Sequence, residues 1–225
     1  MAELEELNRD FTRDRENIAA RSHVNGIAEA GLTAFYPSRD YYARYRDEAA
    51  TIDRYVSTAQ STAILVSINL MTGIPFHDLC VALERKLTAR GSAFSVAISL
   101  LDPNRAEIMA AIAPVLSKDP DDLSNSIRQS LRELVRFKGA LRPRAKSRID
   151  VRVHGALPFG SAILLDHRQP NGRIQIETKP YKAGLQKSLA FEVMRREPGG
   201  LYDVLAASYD ALLADGRRVD DGESI

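Results

Sequence analysis

The hydrophobic pattern predicts a strand, a helix and a second strand in the first half of the chain. Residues 63–70 (AILVSINL) form an apolar run rich in branched side chains, which is typical of a buried strand. Gly73 and Pro75 then interrupt the chain, and residues 76–90 carry apolar side chains at helical spacing. A second apolar run covers residues 94–101. Strands joined in this way lie parallel with a right-handed crossover, so we expect an α/β fold.

The pattern also predicts helices and strands around this unit. Three strands are expected around Ile149 to Val153, around residues 162–165 and around residues 174–176, the last two as a hairpin. The predicted helices cover residues 2–20, 40–60, 106–116, 121–137 and 201–213, and residues 189–194 form a further short apolar segment. We therefore predict an N-terminal helical extension over residues 1–60 that packs on an α/β domain over residues 61–215, followed by a frayed tail over residues 216–225.

Composition narrows the class of protein. The chain has 225 residues, 44% of them hydrophobic, which is enough for one domain with a substantial core. The chain has 31 basic and 30 acidic residues, so its net charge is only +1 and does not draw it to nucleic acid or to an anionic membrane. The single cysteine, Cys80, lies among residues of a predicted helix face and is expected to be a packed thiol. No apolar run approaches the roughly 20 residues of a membrane span, and we expect a cytoplasmic protein.

Common signatures of enzymes and cofactors are missing from the sequence. It contains no glycine-rich phosphate loop, no Gly-x-Ser-x-Gly elbow and no histidine pair with a third ligand at metal spacing. The four histidines, His23, His77, His154 and His167, are scattered along the chain. The sequence therefore predicts neither a cofactor nor a metal site.

A family resemblance rests on residues 152–166 (RVHGALPFGSAILLD), where a strand pattern reaches a turn and a second strand ends on an acid. Together with the earlier strand that ends in LLDPN and the later GRIQIE strand, this order of elements resembles a phospholipase D-like domain over about residues 61–193. The resemblance implies a mixed sheet flanked by helices. In active members of that superfamily the motif His-x-Lys-x-x-x-x-Asp supplies a histidine nucleophile and a lysine that binds phosphate. Two copies of the motif meet across one site, within a chain or between subunits, and the resemblance implies a homodimer here.

The motif frame holds Phe159, Ser161 and Asp166 in this chain. An aromatic ring and a hydroxymethyl group cannot replace the imidazole nucleophile and the ammonium, so the resemblance implies a degenerate domain that has lost hydrolysis. The segment is also similar to bacterial phospholipase D-like domains of unknown function, some of them attached to helix-turn-helix regulators. That likeness implies a binding or sensory module for an anionic ligand such as a nucleotide, in a bacterial regulatory or defence setting.

Three regions of the sequence carry candidate ligand-binding residues. In an open α/β sheet the ligand crevice lies beyond the carboxyl ends of the strands, which nominates the polar residues that follow the first two strands. Residues 35–45 (FYPSRDYYARY) combine tyrosine faces with an arginine fork, a combination that suits a nucleotide or a nucleic-acid strand. A helix start capped by Ser38, with the tyrosines half-buried against the sheet, is the simpler explanation of these residues. The third region is a charged loop after GRIQIE. The candidate ligand-binding residues are Tyr36, Ser38, Arg39, Asn69, Asp102, Ser161, Lys179, Tyr181, Lys182 and Ser188.

Three other hypotheses remain open at this point. One is an atypical phosphodiesterase or nuclease that uses His154 with Asp166 or Glu177, although a strand-end histidine bonded to backbone or water is the simpler explanation of His154. Another is a purely structural partner in a regulatory or defence complex. The last is local contact with nucleic acid through a basic stretch, which also fits a solvated surface connection. The basic residues of that stretch are Lys138, Arg142, Arg144, Lys146 and Arg148.

Overall fold

The computed structural model describes residues 21–22, 25–38, 51–70, 75–183, 187–196 and 198–219. Eight strands in these residues form one mixed sheet with helices on both faces. The strands are β1 (Leu32–Tyr36), β2 (Thr62–Ser67), β3 (Ser95–Leu101), β4 (Ile149–His154), β5 (Ser161–Leu165), β6 (Arg173–Thr178), β7 (Leu189–Met194) and β8 (Arg217–Arg218). The helices are α1 (Ile52–Ser57), α2 (Phe76–Thr88), α3 (Ala106–Ile112), α4 (Pro120–Ala140), α5 (Pro143–Lys146) and α6 (Leu201–Asp215), and residues 25–29 are also helical.

The order of strands across the sheet is β1-β7-β6-β5-β2-β3-β4-β8. Strands β2, β3 and β4 are parallel, and every other neighbouring pair is antiparallel. The parallel unit β2-α2-β3 and the hairpin β5-β6 confirm the predictions made from the hydrophobic pattern. The predicted fold class, a mixed α/β sheet flanked by helices, is confirmed.

Alternating side chains divide the core into two layers. One set of strand residues, which includes Leu65 and Ile98, packs with helices α2 and α4, and we call this side the α2/α4 face. The alternate set, which includes Ile64 and Leu164, packs with α6, and we call this side the α6 face. Strand β2 is buried on both faces, which explains why its sequence is a continuous apolar run rather than an alternating one.

The polarity of the strands defines two edges of the sheet. Strands β2, β3 and β4 all end at one edge, which we call the carboxyl edge, and all begin at the opposite one, the amino edge. The antiparallel registers place the ends of β1 and β6 and the starts of β5 and β7 at the carboxyl edge as well. Residues that are far apart in sequence therefore meet along this edge.

Several predictions near the termini need correction. Residues 32–36 are not helical but form edge strand β1, so the predicted helical extension over residues 1–60 is wrong there. The predicted helix over residues 2–20 and most of the one over residues 40–60 lie outside the described residues. The tail is not frayed from residue 216, because β8 pairs with β4 and Val219 is buried. In the part of the chain that the structure describes, no helix is both long and apolar enough to cross a bilayer.

Candidate functional site

The carboxyl edge collects most of the residues that the sequence nominated. Each of them lies at the terminus of a strand at this edge or within two residues of it, as expected for an α/β sheet. The nominated residues at this edge are Tyr36, Ser38, Asn69, Asp102, His154, Ser161, Glu177, Lys179 and Ser188. Arg39 lies outside the described residues.

A row of side chains crosses five strands on the α2/α4 face of this edge. The registers pair Tyr36 with Ala190, Ala190 with Glu177, and Glu177 with Ser161. The hydroxyl of Ser67 lies 3.3 Å from that of Ser161 and completes the row, which we call the edge row. Neighbouring strands are about 4.8 Å apart, so the edge row extends over about 19 Å. Ser67 was not nominated from sequence, although its place as a polar residue inside the apolar run 63–70 is the signal that could have identified it.

Lys179 brings a positive charge to the middle of the edge row. Its ammonium donates a hydrogen bond to Ser161 Oγ at 3.4 Å and lies 3.5 Å from Glu177 Oε1. The side chains of Lys179 and Glu177 are each 22% exposed, so their charges are partly shielded from water. Ser161 stands in the frame position of the motif lysine. Lys179, which directly follows β6, therefore places its ammonium beside Ser161, at the position where the motif would have a lysine.

Further polar groups border this cluster. The hydroxyl of Ser67 donates to the backbone carbonyl of Asn69 at 2.8 Å, and the Asn69 side chain is buried. Ser188 is also buried, and its hydroxyl has no hydrogen-bond partner among the described residues. Asn69 and Ser188 are therefore buried polar residues at the same edge of the sheet.

The loop after Lys179 crosses the carboxyl edge. The backbone N–H of Lys182 donates to the carbonyl of Val115 at 3.1 Å, which ties the loop to the chain between α3 and α4. Tyr181 is 65% exposed, and the Lys182 ammonium lies 5.2 Å from the centre of its ring. These two nominated side chains therefore contact each other at the surface.

Phe159, in the frame position of the motif histidine, lies on the other side of the sheet from Ser161. Its ring packs edge-on against Phe191 with the centroids 6.3 Å apart, and Phe191 belongs to the α6 face. Phe159 is 67% exposed. The two altered motif positions thus do not share one cleft.

Asp166 lies at the amino edge and is engaged by the backbone there. Its carboxylate accepts hydrogen bonds from the N–H groups of Gln60, Ser61 and Thr62 at 2.7, 2.6 and 3.0 Å, and from the Ser61 hydroxyl. Burial alone would raise the pKa of Asp166, but these hydrogen bonds outweigh it and lower the pKa. Five residue steps along β5, about 17 Å, separate Asp166 from Ser161.

His154 ends β4 on the α6 face, away from the edge row. Its Nδ1 lies 2.9 Å from the hydroxyl of Ser99, and its buried Nε2 has no partner among the described residues. Burial lowers the pKa of His154 to about 4, against a smaller opposing effect of Asp102. The imidazole is therefore neutral and inaccessible at neutral pH. His154, Asp166 and Glu177 occupy three separate places, and the structure does not bring them together as a hydrolytic site.

Asp102, which the sequence nominated, and the thiol of Cys80 have roles in the fold rather than in a binding site. Asp102 Oδ1 accepts the N–H of Asn104 at 3.0 Å, which is the turn that leads toward α3. Burial raises the pKa of the Cys80 thiol to about 12, so the residue is not a thiolate nucleophile. Among the described residues, no three histidine, cysteine, aspartate or glutamate side chains are grouped so that they could hold a metal ion.

The basic stretch lies at the amino edge, opposite the edge row. Its Arg148 guanidinium donates to the backbone carbonyls of Leu87, Ser92 and Phe94 and joins the end of α2 to the start of β3. Arg142 and Arg144 are exposed. Within this stretch, residues Pro143–Lys146 form the short helix α5. Arg148 is therefore a structural residue, which leaves the exposed arginines as the candidates for any contact with nucleic acid.

Sequence comparison does not assign this chain to a protein family. The sequence matches no protein-family model and no curated protein. Among solved structures, it is similar to the archaeal chromatin protein TrmBL2 at 9% identity, with 96% of this chain and 70% of that chain covered and a TM-score of 0.46. It is also similar to Nuc, a phospholipase D family member from Salmonella typhimurium, at 13% identity and a TM-score of 0.38. That alignment covers 73% of this chain and 85% of the Nuc chain.

The likeness to the phosphatidylserine synthase of Haemophilus influenzae is structurally stronger. The TM-score is 0.50 at 12% identity, and the alignment covers 82% of this chain but only 39% of the synthase chain. At such low identity the likeness concerns the fold alone. The chain has a mixed α/β fold, with one sheet flanked by helices, and its structural neighbours include this synthase and a phospholipase D family member.

Proposed function

We propose that this protein is a phospholipase D-like binding or sensory module that holds a phosphate-bearing ligand, such as a nucleotide, at the carboxyl edge without hydrolysing it. The observation that carries the proposal is the ammonium of Lys179, 3.4 Å from Ser161 Oγ in the frame position of the motif lysine. The ligand phosphate would bind beside the Lys179 ammonium and the Ser161 hydroxyl.

The chemistry of this cluster supports an anionic ligand. A lysine ammonium has three donors and binds phosphate as a point charge. The hydrogen bond to Ser161 and the ion pair with Glu177 engage two of the donors of Lys179 and leave the third for a ligand. The Ser161 hydroxyl, which accepts from this ammonium, can turn its single proton from Ser67 to a phosphate oxygen. Because Lys179 is only 22% exposed, its attraction to an anion is screened less than that of a fully solvated lysine.

The surroundings of the motif frame support binding without turnover. Phe159 supplies no nucleophile and lies on the α6 face, His154 is buried on the same face, and the Asp166 carboxylate is engaged by backbone donors. The phosphodiesterase hypothesis requires His154 to reach Asp166 or Glu177. Its test is hydrolysis of bis(p-nitrophenyl) phosphate, and we expect no activity above background from the wild type or from His154→Ala.

Binding measurements on Lys179→Met test the proposal. We expect calorimetric titration of the wild-type protein with a panel of nucleoside monophosphates to show binding, and Lys179→Met to weaken it by about tenfold or more, because a charge-assisted hydrogen bond is lost. Lys182→Met is the matched control, since its ammonium lies on the Tyr181 ring in the same loop and should leave the affinity unchanged. Equal affinities of wild type and Lys179→Met, or no binding of any phosphate compound by the wild type, would overturn the proposal.

A further inference from the structure

We propose that the protein has a second binding surface, which extends from α4 to the amino edge and contacts the phosphate backbone of double-stranded nucleic acid. This surface is independent of the phosphate site proposed at Lys179. We call it the basic surface, and its members are Arg90, Arg128, Arg132, Arg142 and Arg144.

Positive charge is concentrated in one part of the chain. Residues 128–148 contain eight basic residues and a single acidic one, Glu133, whereas the whole chain has a net charge of only +1. Glu133 pairs with Arg136 at 2.8 Å. The next acidic residue along the chain, Asp150, pairs with Arg152 at 2.8 Å on the α6 face. The segment therefore carries a local positive charge that its own acidic residues do not balance.

Two members of the basic surface lie on the exposed side of α4. Arg128 and Arg132 are about one helical turn apart, on the side opposite the buried residues of this helix. Arg128 donates to the neutral side chain of Asn104 at 3.1 Å, a contact that leaves its charge uncancelled. From residue 128 to its last residue, α4 rises about 18 Å. A nucleic-acid duplex carries about ten phosphate charges over that length.

The other three members meet where helices α2 and α5 are in contact. Arg148 connects the two helices, because it donates to the carbonyls of Arg144 at 3.0 Å and Ser92 at 2.6 Å. Arg90 lies two residues before Ser92, and Arg142 directly precedes α5. The side chains of Arg90, Arg142 and Arg144 are exposed, and none of them makes a hydrogen bond or an ion pair with a residue that the structure describes. Their charges are therefore available to a partner.

The chemistry of the basic surface fits a phosphate polymer better than a membrane or a protein. All five members are arginines, and a guanidinium can donate two hydrogen bonds to one phosphate. The apolar side of α4 is buried in the core, and among the described residues no large exposed hydrophobic side chain belongs to α4 or α5. A membrane-bound helix or the centre of a protein interface would need such apolar anchors.

The exposure of these arginines also distinguishes a polymer from a single nucleotide. One phosphate gains little from a fully solvated arginine, whereas a duplex contacts several arginines at once and releases the counterions of several phosphates. We therefore expect the basic surface to bind a duplex and not a mononucleotide.

Fluorescence anisotropy with labelled DNA and RNA duplexes of about 20 base pairs tests the proposal. We expect the wild type to bind at low salt, with an affinity that falls as salt rises and does not depend on base sequence. Arg142→Gln/Arg144→Gln should weaken binding by about tenfold or more, and the slope of log affinity against log salt should become shallower by about 2, because two phosphate contacts are lost.

Arg105→Gln/Arg168→Gln is the matched control. It removes the same charge from two exposed arginines outside the basic surface, each of which pairs with an acidic residue of its own. We expect this control variant to keep the salt slope of the wild type. Equal affinities and salt slopes of the wild type and Arg142→Gln/Arg144→Gln, or no binding of either duplex by the wild type at low salt, would overturn the proposal. Binding of phosphatidylserine vesicles without binding of either duplex would overturn it in favour of a membrane.

Two further titrations separate this surface from the proposed phosphate site. Lys179→Met should bind the duplex as the wild type does, and Arg142→Gln/Arg144→Gln should bind nucleoside monophosphates as the wild type does. Duplex binding that is lost in Lys179→Met and retained in Arg142→Gln/Arg144→Gln would place the duplex at the carboxyl edge and overturn the role of the basic surface.

Discussion

Asp166 matches the motif frame, and its environment gives a structural reason for its presence. Its carboxylate is held by three consecutive backbone N–H groups, from Gln60 to Thr62, so it fixes the start of β2 to the end of β5. The backbone of Asp166 has φ of 49°, a conformation that aspartate and asparagine adopt more readily than most residues. Both properties serve the fold and neither requires catalysis.

Asp166→Asn should therefore destabilise the fold without a backbone penalty. We expect the free energy of unfolding in urea to fall by about 2 kcal/mol at neutral pH, because hydrogen bonds to a charged acceptor are weakened. Since the folded pKa of Asp166 is lowered, its contribution is fully present above the unfolded pKa, near 3.8, and is lost as the pH falls through the lower folded value. The difference between wild type and variant should shrink in that acidic range. A variant as stable as the wild type at pH 7 would show that the carboxylate charge does not matter.

His154 makes the fold sensitive to mild acid. Its pKa is lowered from 6.5 to about 4 in the folded protein, so the unfolded chain takes up a proton at a higher pH than the folded protein does. Stability is thus complete above about pH 6.5 and is lost as the pH falls toward about 4, at about 1.4 kcal/mol per pH unit. His167 shifts in the same direction, so the test has to isolate His154.

His154→Asn isolates this contribution. Between about pH 7.5 and about pH 5.0 we expect the wild type to lose about 2 kcal/mol more of its free energy of unfolding than the variant does, because asparagine does not titrate. Urea denaturation at the two pH values measures this difference. Parallel losses in the two proteins would contradict the burial of a neutral His154.

Arg148 connects the end of α2, the start of β3 and the start of β4, which are separate in sequence. Its guanidinium donates to carbonyls at the end of α2 and before β3, while its own residue precedes β4. The last carbonyls of a helix have no partner inside the helix, and a basic side chain at that position satisfies them. The basic stretch thus contains at least one residue, Arg148, whose side chain stabilises the fold.

Arg148→Met should reveal this structural role when compared with Arg142→Met. We expect Arg148→Met to lose about 2 kcal/mol of unfolding free energy, because carbonyls of α2 and β3 lose a charged donor. Arg142 is exposed, so Arg142→Met should change stability by less than about 0.5 kcal/mol. Thermal unfolding of the two variants side by side checks this, and equal Tm values would refute it.

The elements with strong local patterns could be predicted from the sequence, and those defined by distant partners could not. The apolar run of β2 and the helical spacing of α2 depend on residues within one segment. Strand β1 has only five residues, its apolar side chains are half exposed, and its partner β7 follows more than 150 residues later. Strand β8 has two residues and exists through pairing with β4. Local periodicity contains no signal for such pairing.

The candidate site is a property of the whole sheet. The sequence nominated Tyr36, Ser161, Glu177 and Lys179 separately, but the registers of four strands place them in contact or in one row. The same alternation of faces puts His154 on the other side of the sheet. The sequence indicated which polar residues lie near the ends of strands. It did not indicate which face of the sheet each side chain occupies or which strands are neighbours in the sheet.

The central claim is that a phosphate-bearing ligand binds at the carboxyl edge beside Lys179. A crystal structure of the protein with a bound nucleoside monophosphate tests it most directly. We predict the phosphate within hydrogen-bonding distance of Lys179 Nζ and Ser161 Oγ, on the α2/α4 face. A phosphate found at the amino edge beside Arg142 and Arg144, or on the α6 face beside His154, would contradict the claim.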